Sequence, residues 1–496
     1  MKTKHRKLEH LKRASAALSL VSSVACSAGD GSESVAAVEE AVGPSNPPGP
    51  LPSPIVDARR SLAITDQPIL QNFGLKRVLD QLILTSGVTG LTATTLFQQW
   101  WDTQNAGPGL GLGAHCNDSG DASNNPQLNG YPYTCRPSPA EGAQSTCDPF
   151  AAGSPCAYIP IGLFMRFDLA PANGSNCGEY RIVYAKATGQ TESQNRNLVI
   201  FEASMPNAHD EQGIRGCQRF VRAWAELSNE NNITKRRTSL EQFYFTGYAE
   251  FDPVVQYENF GDNPDGAGQI RTNQFMQPNS PRVWSLREFK LAKSGNALRF
   301  VPVTNKTNPF GPLFDGASTH ANAAGFQAEF VSEVGRLAGA GIGAIGLNTT
   351  DLFNSAQSEA AGSVLETQYP YHFAAAPAPN AFRTAIQDEL TALGSTLTPE
   401  HVVLRAQAMA CAGCHRFSSN VDIGGGLIWP ASQGFTHVSE RDADLETVSG
   451  VTRFGISGAL TGHFLPARKQ LVEDFLNDVP LPPRAPSDPI GGRFVH

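Results

Sequence analysis

The sequence lacks any uninterrupted run of eighteen or more apolar residues, so no segment reads as a membrane-spanning helix. It lacks G-x-S-x-G and H-E-x-x-H, which removes the commonest hydrolase signatures. It has a single C-x-x-C, too few clustered sulfur and imidazole donors for an ordinary four-coordinate structural zinc site. Methionine is scarce, occurring only at Met1, Met165, Met205, Met276 and Met409. No repeat of fixed period is found, which excludes solenoids and propellers.

What is there begins with a basic cluster, Lys2, Lys4, Arg6, Lys7, Lys12 and Arg13, followed by a short apolar stretch from Ala14 to Ala25. This is the pattern of an export signal, too brief to span a bilayer. It ends Ser23-Val24-Ala25-Cys26, which resembles the lipobox of bacterial lipoproteins. That resemblance implies lipidation of Cys26, a membrane tether, and a periplasmic or outer-membrane location. The position three before the cysteine, which usually carries Leu, is Ser23 here, and the same residues satisfy plain signal cleavage. The leader's six basic residues and Glu9 carry +5, so the remainder falls from −8 to −13 with no compensating basic block. That charge argues against nucleic acid and anionic membrane surfaces as partners, and suits a basic redox partner.

Nine cysteines are present. Setting aside Cys26 and the C-terminal pair leaves Cys116, Cys135, Cys147, Cys156, Cys177 and Cys217, an even set in Gly-, Pro- and Asn-rich sequence. Three disulfides in an oxidising compartment are expected, with fifteen connectivities open. The organisation reads as an export signal (1–25), a Pro/Ser/Gly-rich linker (26–56), an α+β body (57–395, Cys-rich over 106–220), a C-terminal all-α unit (396–478) and a loose tail (479–496). Leu75, Val78, Leu79 and Leu82 at helical spacing, then 91–101, predict a helical pair within 57–105. Alternating segments predict strands at 159–167, 180–184, 198–201, 283–291 and 298–303, with helices at 220–227, 240–244 and 321–337.

The residues that commit to a chemistry are Cys411-Ala412-Gly413-Cys414-His415. C-x-x-C-H attaches c-type haem: the two thiols form thioethers with the porphyrin vinyl groups and the histidine binds the iron. A disulfide or half of a zinc site are the rival readings. Thr398 as cap and Pro399 at the first helical position predict a helix whose apolar Val402, Val403, Ala406, Met409 and Ala410 lead into Cys411. The arrangement, with Trp429-Pro430 beyond it and a closing helix over 467–476, resembles class I c-type cytochromes. The resemblance implies one covalent haem c on Cys411 and Cys414, His415 as proximal iron ligand, and the Pro430 carbonyl holding its imidazole. That family usually takes Met as the distal ligand, and no methionine follows the motif here. His463, just before the closing helix, is the expected substitute, with His437 or an open site as alternatives.

Other patterns have plainer readings. Gly341-Ile342-Gly343-Ala344-Ile345-Gly346 matches G-x-G-x-x-G but follows a helical pattern instead of a strand, so a packed helix end is expected. Asp118, Asp121 and Asn124, and Asp262 with Asp265, read as turns before calcium ligands. Trp100 and Trp101 read as packing; Glu202, His209, Asp210 and Glu211 are candidate carboxylates and a base, with surface polarity the default. The whole predicts an exported haem protein passing electrons to a redox partner. A haem-dependent peroxidase or oxygenase, or a surface binding protein with an accessory haem, are the alternatives.

Overall fold

A computed structural model describes residues 54–136, 141–192, 195–263, 266–276, 283–360 and 367–492. The expected export signal, Cys26 and nearly all of the linker lie outside the described residues. From Ala63 the chain forms β1 (Ala63–Ile64) and then α1 (Gln67–Leu70), α2 (Leu75–Ser86) and α3 (Ala93–Asp102). In α2 the residues Leu75, Val78, Leu79 and Leu82 are the buried face, as their spacing predicts. A small hairpin, β2 (Gln127–Leu128) with β3 (Tyr131–Pro132), follows in the cysteine-rich stretch. Three disulfides, Cys116–Cys135, Cys147–Cys156 and Cys177–Cys217, resolve the connectivity and place the fold in an oxidising environment.

The body is mixed α and β around an eight-stranded antiparallel sheet. Its long strands are β4 (Tyr158–Arg166), β5 (Asn176–Lys186), β6 (Asn197–Pro206), β7 (Gln269–Met276) and β8 (Val283–Ser294). β1 flanks β4, and β8 pairs on its far side with β9 (Ala297–Val303) and β10 (Gln357–Ala360). Between β6 and β7 lie α4 (Gln218–Glu226) and α5 (Ile233–Glu241). α6 (Ala323–Ser332) and α7 (Val334–Leu337) precede β10; α8 (Tyr369–Phe373), α9 (Ala381–Ala392) and α10 (Pro399–Met409) follow it. The strand and helix segments expected within 159–337 are all present. β7 and β10 were not foreseen, because neither Gln-Ile-Arg-Thr-Asn-Gln-Phe-Met nor Gln-Ser-Glu-Ala reads as apolar. The G-x-G-x-x-G run lies in turns after α7, where Arg405 donates to the Leu337 and Gly339 carbonyls.

Side chains alternate across a strand, and here the two faces differ in kind. On one face Tyr180, Tyr184, Phe201, Phe289 and Phe300 meet the helices. Trp100 of α3 stacks on Phe300 at 4.4 Å, Trp224 of α4 lies 5.1 Å from Tyr180, and the Tyr184 hydroxyl donates to Phe73 O at 2.7 Å. Trp100 and Trp101 are fully buried here, as packing residues. The opposite face carries a charged ladder. Arg181 pairs with Glu179 (2.5 Å) and Glu202 (3.2 Å), and Arg271 with Glu202 (2.5 Å) and Glu288 (2.8 Å). Cross-strand register, Arg181 opposite Glu202 and Arg271 opposite Glu288, sets these pairs.

That polar face is covered by the C-terminal stretch, which belongs with residues 53–496 to one compact unit. Helix in this stretch is confined to α10, α11 (Leu465–Leu476) and short turns, with a hairpin of β11 (Glu446–Val448) and β12 (Val451–Arg453) between them. The segment expected as a loose tail is tied to the body near its described end: Ala172 N donates to Asp488 O, Ile490 N to Ala170 O, and Arg336 pairs with Asp488 at 2.7 Å.

Removing one partner from a buried ion pair strands the other. Arg271→Leu should therefore destabilise the fold by about 3–5 kcal/mol in urea unfolding at neutral pH, far more than Arg219→Leu at the exposed Arg219–Glu250 pair. For Asp168, burial raises the carboxyl pKa, but Arg166 and Arg468 outweigh it and hold it at about 2 against an ordinary 3.8. Its stabilisation is complete above the ordinary value and lost as pH falls toward 2. Asp168→Asn should make the thermal midpoint less steep over that window.

Candidate functional site

Thr398 caps α10 through its side chain on His401 N, the His401 Nδ1 accepts from Thr398 N, and Pro399 opens the helix. Val402, Val403, Ala406 and Met409 are buried. The helix stops at Met409, since Ala410 is extended, and the motif makes its own helical turn, Cys411 and Ala412 leading into Gly413–Phe417. Cys414 N donates to Ala410 O (2.8 Å) and Ala412 N to the Ser358 hydroxyl of β10 (3.0 Å). A Cβ on Gly413 would lie 1.6 Å from the Gln407 carbonyl oxygen, so only glycine permits the close return of the turn against the helix.

Cys411 and Cys414 are buried and in no disulfide, in a chain whose other six described cysteines are all in disulfides. Burial pushes the Cys411 thiol pKa up to about 12, the reverse of a redox-active C-x-x-C, which needs a stabilised thiolate. His415 faces Trp284 of β8, ring centres 4.8 Å apart and nearly parallel. Its Nδ1 lies 2.8 Å from Phe435 O; a carbonyl only accepts, so Nδ1 carries the proton and Nε2 presents its lone pair. Burial holds the His415 pKa down at about 4.

The carbonyl on His415 is that of Phe435 and not of Pro430. Phe435 sits at φ 69°, a left-handed conformation uncommon outside glycine, with its carbonyl also receiving Asn273 Nδ2 at 3.2 Å. Two residues on, His437 stands beside His415 with ring centres 4.9 Å apart. Its Nδ1 is 2.9 Å from the Ser457 hydroxyl and its Nε2 3.4 Å from Cys414 Sγ. Burial, then the neighbouring His415, holds its pKa well below the ordinary value. His463 is exposed on the turn before α11 and is not brought to this cluster. Sequence position relative to the closing helix favoured His463; the juxtaposition of His437 depends on the fold of the 418–459 loop.

Both histidines and Cys414 line a cavity of ≈ 90 Å³ against the polar sheet face, with Leu198, Ile200 and Leu286 on its apolar floor and Arg166, Arg181, Arg271 and Arg468 around it. These arginines were not foreseen in the sequence as site residues; for Arg166, Arg181 and Arg271 the available signal was their alternation with apolar neighbours along β4, β5 and β7, whereas Arg468 comes from α11. In donor type the set matches a haem attachment: two thiols, an imidazole with its Nδ1 fixed, and a second imidazole beside it. In width the cavity is smaller than the roughly 300–1,000 Å³ of ordinary cofactor sites. Two imidazoles on one metal also need ring centres roughly 6 Å apart, given metal–nitrogen bonds of about 2 Å. The loop bearing His437 must stand further out for both to ligate.

The remaining candidates do not gather. Glu202 is in the ladder, whereas His209 is at the surface, 3.2 Å from Glu250. Asp121 accepts from Ser123 N and Asn125 N as a turn; Asp265 lies outside the described residues. Among the described residues no group of three or more His, Cys, Asp or Glu side chains is placed to hold a metal ion, and no helix is long and apolar enough to cross a membrane. Comparison with protein-family models, curated proteins and solved structures found no match to the chain.

Gly413→Ala should destabilise the protein by at least about 1–3 kcal/mol in chemical denaturation, the usual effect of forcing a methyl into packed structure. Ala412→Gly, one residue away, should cost about 1 kcal/mol or less.

Proposed function

We propose that the protein is an exported carrier of one c-type haem, held covalently by Cys411 and Cys414 with His415 as proximal ligand, and that it transfers electrons. The observation that carries this reading is the pairing of two thiols not joined by a disulfide with an imidazole whose Nδ1 is fixed on a backbone carbonyl, in a protein whose other described cysteines are all in disulfides. A C-x-x-C without a disulfide beside three disulfides is explained if thioethers consume it. Haem iron takes its four equatorial ligands from the porphyrin, so one or two histidines complete it. When bound, the haem supplies one-electron chemistry at its iron.

The chain's own residues do the rest. The Phe435 carbonyl and Trp284 orient the His415 ring, and the sheet's apolar floor excludes water. In this reading His415 and, in place of His463, His437 would hold the iron, because His437 alone of the two lies beside His415; two imidazoles there would suit electron transfer over oxygen or peroxide chemistry. The C-terminal stretch acts as a cytochrome c-like haem segment built onto the sheet. The leader, with lipidation at Cys26, accounts for a periplasmic or outer-membrane lipoprotein tethered at its N-terminus. The acidic balance suits a basic redox partner.

Exported Cys414→Ala should lose the single-haem pyridine haemochrome spectrum of the native protein; an unchanged spectrum would sink the haem assignment. Electronic spectra then separate the histidines. His437→Ala should turn a low-spin spectrum high-spin and open it to cyanide, while His463→Ala should leave it as it was. The reverse pattern would return the sixth position to His463.

A further inference from the structure

The polar face of the sheet continues past the haem-side cavity into a second, larger one of ≈ 520 Å³, within the range of small-molecule sites. Arg271 lines both, its guanidinium held between Glu202 and Glu288. The floor of the second cavity comes from β5 to β8, and its roof from residues 303–307, 348–354 and 487–489.

The carboxylates on its floor are already engaged. Glu179 is bonded to Arg181 and receives Gln269 Nε2 at 2.9 Å, and Glu288 is bonded to Arg271. Lys290 is differently placed. Its ammonium donates to the carbonyls of Gly266 (2.8 Å) and Gly268, and among the described residues no carboxylate lies within ion-pair distance of it. Burial, then the charge of Lys306 across the cavity, brings its pKa down to about 8. The Lys306 ammonium, which donates to Gln269 Oε1 at 3.2 Å, borders the same space, and the roof carboxylate Asp351 accepts from the Thr304 hydroxyl, so an anion entering the cavity would meet its attraction at Lys290 first. Around them the wall is amide and hydroxyl, including Asn176, Ser204, Thr304, Asn348 and Thr349. No aromatic ring lines it, which leaves nothing for a flat ligand to stack on.

We propose that this cavity binds a small hydroxy-carboxylic acid, its carboxylate between Lys290 and Lys306 and its hydroxyl groups on the surrounding amide and hydroxyl side chains. Binding depends on these residues alone. That the ligand is a redox substrate or effector of the neighbouring haem, one residue away across Arg271, rests on the reading above.

The test is calorimetric titration of the exported full-length protein with sodium gluconate at constant ionic strength, against sorbitol, which lacks the charge, and sodium acetate, which lacks the hydroxyls. Gluconate should bind at least about tenfold more tightly than either. Lys290→Gln should weaken it by a similar factor, and Asn348→Ala, an exposed position, should weaken gluconate severalfold while leaving acetate unchanged. Equal binding of all three probes, or gluconate binding indifferent to both substitutions, would overturn the proposal. A preparation that binds gluconate through Lys290 but carries no haem would refute the haem reading and leave this site standing.

Discussion

Arg271 sits at the centre of the sheet, about 1 % exposed, with carboxylates of Glu202 and Glu288 at 2.5 and 2.8 Å. Burying three charges is costly unless each is matched and shielded from competition by water. The remainder of the ladder meets the first requirement: Arg181 shares Glu202, and Gln269 bonds both Glu179 and Glu202. The C-terminal stretch meets the second by lying over this face. A strand surface that would otherwise be solvated becomes the floor of two cavities, and the segment carrying the C-x-x-C-H motif is the lid of one of them.

The motif is accordingly fixed from three sides. α10 delivers it, with a glycine where the turn passes the Gln407 carbonyl. β10 holds it through Ser358, and β8 supports its histidine through Trp284. The Phe435 loop closes the arrangement by placing a carbonyl on His415 and an imidazole beside it. Its left-handed residue is the kind of strained backbone found where surrounding structure dictates a functional geometry. The haem assignment and the second-cavity proposal use different residues, with Arg271 the only one common to both.

Local signals carried the sequence reading where they were sufficient. Helix α2 was legible from its four spaced apolar residues, α10 from Thr398 and Pro399, and three disulfides from the even count of cysteines. The C-x-x-C-H run stands out because its spacing is short and specific. Strand β7 was not legible, since Arg271 and Asn273 pointed outward in a pattern that ordinarily means solvent; their burial comes from a segment more than a hundred residues later. The nearness of His437 to His415 was not legible for a similar reason. Position before a closing helix is a local cue, whereas the approach of His437 to His415 follows from how the intervening loop folds. The Arg–Glu ladder needed the strand register, which no single segment specifies.

The most direct measurement is mass spectrometry of the tryptic peptide Ala406–Arg416 from protein secreted by a host with the c-type maturation system. The account predicts that this peptide carries one haem, bound through Cys411 and Cys414 and surviving acid–acetone extraction. Recovery of the unmodified peptide with its two cysteines joined as a disulfide would contradict it.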